Sequence, residues 1–114
     1  MHTPGKLNIT CYQGASFDKK LVWTIDQQPV DLTTYTAAMQ GRKTHPTEEY
    51  TFEFGSITLN DQGEILIEAT ADETANIPAR EYVYDLELTE GETVTRLVEG
   101  TFLVTPEVTR VEGS

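Results

Sequence analysis

Several short runs of the chain alternate apolar and polar residues. From Glu81 to Thr89 the even positions are Tyr82, Tyr84, Leu86 and Leu88, whereas Glu81, Asp85, Glu87 and Thr89 occupy odd ones. A period of two places one set of side chains on a core and the other in water, which predicts a half-buried strand. Phe17, Lys19, Leu21, Trp23 and Ile25 form a second inward line, opposed by Ser16, Asp18, Lys20 and Thr24. Ile65, Ile67 and Ala69 alternate with Glu64, Leu66 and Glu68, and Leu7, Ile9 and Cys11 mark the inner side of an opening strand that runs to Tyr12. Val94, Val98, Phe102 and Val104 give a last line. Arg96 falls on that line and Gly100 interrupts it, which predicts a bulge or an edge. Alternation of this kind marks an antiparallel sheet with one wet face, since buried parallel strands read as continuous apolar runs.

Turn residues separate these runs. Gln13-Gly14, Asp26-Gln27-Gln28-Pro29, Asn60-Asp61-Gln62-Gly63 and Glu90-Gly91-Glu92 each fall between two predicted strands, and residues 44–49 read as the longest loop. Thr70-Ala71-Asp72-Glu73 matches a capping box, with Thr70 as N-cap and Glu73 reaching back to its amide. Pro78 ends the turn after Ile77. This short helix is a crossover between two strands. Seven or eight strands with one helical corner predict an all-β, antiparallel sandwich over residues 7–105, flanked by tails 1–6 and 106–114.

Composition narrows the function. The 114 residues include 18 threonines, which suit pleated surfaces. Nineteen acidic residues against eight basic ones leave a net charge of −11, which disfavours nucleic acid and anionic lipid as partners. There is no apolar run of membrane-spanning length, and the first 20 residues lack the apolar core of a signal peptide, so neither membrane insertion nor secretion by that route is expected. Cys11 is the only cysteine, and with two histidines it does not make a zinc motif.

The remaining chemistry is sparse. Asp85 and Glu87 lie two apart on one strand face, where a glycosidase pair is possible, but that face is the wet one and solvation is the expected role. The Asn60–Glu64 turn carries oxygens for a cation without the spacing of an EF-hand loop, so a hairpin is expected. Cys11 reads as a small buried hydrophobe. His2 and His45 have no evident partner, and no nucleophile triad or phosphate loop is present. The sequence therefore predicts a protein that is not an enzyme and needs no cofactor. Tyr12, off its strand's inward line, and Tyr50 are the candidate exposed anchors. Tyr50, Phe52 and Phe54 form an alternating line that suits an edge strand buried by a neighbouring subunit, and Pro106 and Val108 open a tail suited to contacting a neighbour's sheet edge.

From Ile65 to Leu88 the chain resembles the E–F corner of immunoglobulin-like domains, with Tyr82 or Tyr84 as the corner tyrosine, although the inter-sheet disulfide of antibody domains is absent. Over residues 7–110 the pattern also resembles small tailed-bacteriophage β-sandwich proteins of tail and virion, including N-terminal domains of upper-baseplate proteins. Gln13-Gly14-Ala15-Ser16-Phe17, Leu21-Val22-Trp23, Pro29 to Ala37 and Gly55 to Leu59 carry the first half of that resemblance. Thr70 to Pro78, Tyr82 to Leu88, Arg96 to Gly100 and Val104 to Thr109 carry the second. The resemblance implies a virion structural protein, homo-oligomeric in the particle and bound to other tail, collar or capsid proteins. Because only Val111–Ser114 follow the pattern, an adaptor or a decoration is expected, with recognition carried by another chain. An immunoglobulin-like adhesive or carbohydrate-binding module is the alternative. The net charge further predicts that assembly responds to ionic strength.

Overall fold

A computed structural model describes residues 4–43, 52–54 and 56–106. The strands are β1 (Gly5–Lys6), β2 (Ile9–Tyr12), β3 (Phe17–Val22), β4 (Thr24–Ile25), β5 (Gln28–Pro29), β6 (Thr36–Arg42), β7 (Phe52–Phe54), β8 (Ser56–Leu59), β9 (Glu64–Ala69), β10 (Glu81–Glu90) and β11 (Thr93–Thr105), with helix α1 (Ala71–Ala75) between β9 and β10. One sheet runs β1-β11-β10-β6-β7, with β2 also on β11, and the facing sheet runs β3-β9-β8. The β4–β5 hairpin stands apart from both. Two sheets joined by a helical corner make the expected all-β sandwich.

Its first strand departs from the expected pattern. β1 and β2 both pair with β11 in parallel, Gly5 opposite Val98 and Ile9 opposite Phe102, whereas every other pairing is antiparallel. The paired sheet thus begins at Gly5, within the segment the pattern assigns to the tail. Between β1 and β2 the chain bends at Leu7-Asn8 and presses on β11. A Cβ on Gly100 would lie 2.3 Å from the Leu7 carbonyl oxygen, so only glycine fits there. The Thr101 amide donates to Asn8 Oδ1 at 3.1 Å, and the Tyr84 hydroxyl donates to the Leu7 carbonyl at 2.7 Å.

The core lies between the sheets. Ile9, Cys11, Met39, Ile65, Ile67, Tyr82, Leu86, Leu88, Phe102 and Val104 are buried, in agreement with the alternation along their strands. Phe102 is the hub of an aromatic cluster, with Phe17 of the facing sheet at 5.9 Å, Phe54 at 5.5 Å and Phe52 at 5.1 Å between ring centroids. The Phe52 ring covers Gly41, where a Cβ would sit 2.2 Å from it. Rings in these tilted and edge-on arrangements stabilise the core beyond their buried area by about 0.5–1.5 kcal/mol per pair.

Two apolar lines are corrected. Opposite Leu86 and Glu87 the register of β11 jumps from Val98 to Arg96, so Leu97 is an extra, bulged residue. The bulge reverses the inside–outside parity: Leu97 is buried, whereas Arg96 and Val94 face out and Val94 is 57% exposed. Ile25 is likewise 55% exposed, because β3 ends at Val22 and Ile25 belongs to the detached hairpin.

Candidate interaction surface

The helical corner forms as its residues dictate. Thr70 Oγ1 accepts from the Glu73 amide, and the Thr70 amide donates to Glu73 Oε1 at 2.8 Å, completing the capping box. Thr74 is fully buried. Its hydroxyl donates to the Ala15 carbonyl at 2.8 Å and accepts from the Gly14 amide at 3.1 Å, docking the β2–β3 turn on the helix. The Tyr82 hydroxyl donates to the Pro78 carbonyl at 2.6 Å, four residues back, which makes Tyr82 the corner tyrosine.

Three carboxylates on the outer face, Asp85, Glu87 and Glu99, are engaged. Arg96 reaches Asp85 at 3.3 Å, Glu99 at 3.7 Å and Glu87 at 3.8 Å, and Lys6 also pairs with Glu99. Asp85 and Glu87 thus share a half-exposed guanidinium, as members of a solvated ion-pair network. This grouping was not readable in the sequence, because the bulge at Leu97 is what turns Arg96 outward. In the β8–β9 turn, Asn60 Oδ1 accepts from the Gln62 and Glu64 amides, and Asn60 Nδ2 donates to Glu64, so the side chain shapes the hairpin. Lys20 adds an ion pair at 3.0 Å, and Glu64 is held below the usual carboxylate range by Asn60 first and Lys20 second. Among the described residues, no cluster of three His, Cys, Asp or Glu side chains is placed to hold a metal ion.

Cys11 is fully buried, and burial raises its thiol pKa, which suits a core residue rather than a nucleophile. Phe52 and Phe54 are core residues and are not surface anchors. β7 is an edge strand, but its alternate side chains point into the aromatic cluster and only Glu53 faces out. Tyr50, Val108, His2 and His45 lie outside the described residues.

Tyr12 and Pro106 are brought together. Tyr12 pairs with Thr105, the residue before Pro106, and the Gln13 amide donates to the Thr105 carbonyl at 3.0 Å. Tyr12 is 65% exposed. Two pairs along, on the same face, Thr10 lies opposite Leu103, which is 38% exposed and opposite Glu81 of β10 on its other side. Half-buried Val83, opposite Thr101, continues the row. Tyr12, Leu103 and Val83 therefore form a diagonal apolar band across the outer face of β2, β11 and β10. Leu103 was missed in the sequence reading although its signal was there: it falls between the inward residues Phe102 and Val104, so it must face out.

Two concavities lie away from this band. One, of about 450 Å³, lies between Phe17, Ser56, Glu68 and Thr70 beside the helix, and its Glu73 is spent on the cap. The other, of about 490 Å³, is an open seam between β6 and β8 lined by Leu32, Tyr35, Ala37, Ile57 and Leu59. No protein-family model and no curated protein matches the sequence.

Proposed function

We propose that this chain is a noncatalytic structural protein of a bacteriophage particle, acting as a tail or host-recognition adaptor or as a decoration of the particle surface, with other virion proteins as its partners. The observation that carries the reading is the band of exposed Tyr12 and Leu103 with half-buried Val83, an apolar strip on the outer sheet face of a chain with a net charge of −11. Exposed apolar surface of this kind marks contact with other proteins. The engagement of Asp85 and Glu87 by Arg96 supports the noncatalytic part of the proposal. The adhesive alternative is less well served, since β11 sets only Phe102, Leu103, Val104 and Thr105 opposite β2, with no carboxylate or amide side chain among them to fix a sugar beside Tyr12.

The test is quantitative mass spectrometry of gradient-purified particles of a phage encoding this chain. The chain is expected in a fixed ratio to the major virion proteins. Particles complete and infective without it would overturn the proposal.

A further inference from the structure

We propose that the edge of β2 that no other described strand pairs with is the contact between two copies of this chain, the two β2 strands pairing antiparallel about a two-fold axis so that the sheets continue from one copy into the next. The inference deepens the virion reading and rests on it only for its setting in the particle. Its physical basis is the way the sheet edges differ. An unpaired edge strand presents backbone donors and acceptors to any passing strand, and proteins guard such edges with charge. β3, an edge of the second sheet, carries Asp18, Lys19 and Lys20, with Lys19 turned toward the inner side. β7 carries Glu53. β2, the sequence Ile9-Thr10-Cys11-Tyr12, carries no charge.

β8, Ser56 to Leu59, is also uncharged, but its exposed side chains are the small and polar Ser56 and Thr58. Among the described residues, only at β2 does an unguarded edge coincide with a large exposed ring, Tyr12, and with a neighbouring exposed Leu103. The nearest carboxylate on that outer row, Glu81, is two strands away on β10.

Charge also selects the occupant. Two copies that each carry −11 repel over most of their surfaces, so self-contact is confined to ground that is neutral on both sides. A basic partner would be drawn to the acidic surfaces elsewhere. A neutral strand with exposed Thr10 and Tyr12 is self-complementary under a two-fold, as an isologous interface requires. Register is restricted too. Residues directly opposite in an antiparallel pair point to the same face, so outward Thr10 and Tyr12 must meet outward residues of the other copy, and inward Ile9 and Cys11 inward ones. That parity puts the axis on a residue, Thr10 or Cys11, and brings the apolar bands of the two copies onto one continuous face.

The experiment is light scattering behind size exclusion on the full chain over a range of concentrations, with Thr10→Lys compared against Thr58→Lys on β8. Each substitution lowers the net negative charge equally, so general repulsion would make both variants associate more. The two-fold instead places the new lysine beside its own symmetry mate or beside Tyr12 of the other copy. The expected result is a dimer of the 12.7 kDa chain whose dissociation constant rises by about tenfold or more in Thr10→Lys and does not rise in Thr58→Lys. Both variants are checked for an unchanged melting temperature. Slower amide exchange over Ile9–Tyr12 at high protein concentration, and tighter association in added salt, are expected as well. A monomer at all concentrations overturns the inference, as does an oligomer that Thr10→Lys leaves intact. Either result is independent of whether purified particles contain the chain, so failure here and failure of the virion reading are distinguishable.

Discussion

The two ends of the sandwich are closed by different kinds of bond. At the helical end, side chains hold main chain: Thr70 and Glu73 cap α1, Tyr82 bonds Pro78, Thr74 grips Gly14 and Ala15, and Gln13 Nε2 donates to the Ile77 carbonyl at 3.0 Å. At the opposite end, main-chain bonds join separate segments directly, beside the Asn60 side chain that bonds the Gln62 and Glu64 amides. The Trp23 amide donates to Gly63, the Leu32 amide to Asn60 and the Val30 amide to Trp23, all at 2.9–3.1 Å, and Thr34 Oγ1 bonds Glu90. The Trp23 ring packs edge-on against Tyr35 at 5.8 Å. That end also stores strain. Asp26 and Gln27 in the β4–β5 turn have φ of +52° and +68°, the type I′ pattern that favours Asn-Gly. Segments are thus tied together by side chains at one end and chiefly by backbone approach at the other. Substitutions should act accordingly.

The largest effect is expected at the main-chain end. A Cβ on Gly63, at φ +73°, would stand 2.5 Å from the Trp23 carbonyl oxygen. Gly63→Ala should cost about 2–3 kcal/mol through strain and clash, measured by denaturant unfolding; a neutral result would mean this end is looser than its hydrogen bonds imply. At the helical end, Thr74→Val keeps the shape but leaves the Gly14 amide and the Ala15 carbonyl without their partner, an expected loss of about 2 kcal/mol. Tyr82→Phe should cost less, about 1 kcal/mol, because it removes one hydroxyl bond and keeps the ring in place.

Between the two ends, Tyr84 gives the comparison a pH axis. Burial raises its pKa from 10 to about 12, so the unfolded chain ionises first as pH rises. Its contribution is fully present below pH 10 and is lost progressively from there to about pH 12. Tyr84→Phe should flatten the alkaline part of the stability–pH curve, followed by urea midpoints at each pH. The smallest effect has the opposite sign. Gln27→Gly relieves a positive φ in an exposed turn and should stabilise by about 0.5–1 kcal/mol. No gain would show that the turn is unstrained and that the contrast between the ends lies in hydrogen bonding alone.

The sequence by itself determined whatever depends on near neighbours. The alternation in Glu81–Thr89 and Glu64–Ala69, the capping box at Thr70–Glu73, the turn at Gly91 and a corner tyrosine at either Tyr82 or Tyr84, between which the Tyr82–Pro78 bond decides, are short-range patterns. Their chemistry is complete within a few residues, so each was legible. Arg96 and Gly100 announced an irregularity in β11 but not its place. One bulged residue at Leu97 reverses the parity of everything before it, and a period of two carries no record of where that happens. Phe52 and Phe54 looked like an exposed edge, and Ile25 like core, for a related reason. Periodicity says that one face of a strand is apolar, whereas only the tertiary structure decides whether a second sheet lies over it. The close pass of Leu7 over Gly100, the exposed band at Tyr12 and Leu103, and the Arg96 network join segments 70 to 100 residues apart in the chain or depend on that bulge. Such juxtapositions come from packing two sheets against each other, and no local pattern encodes them.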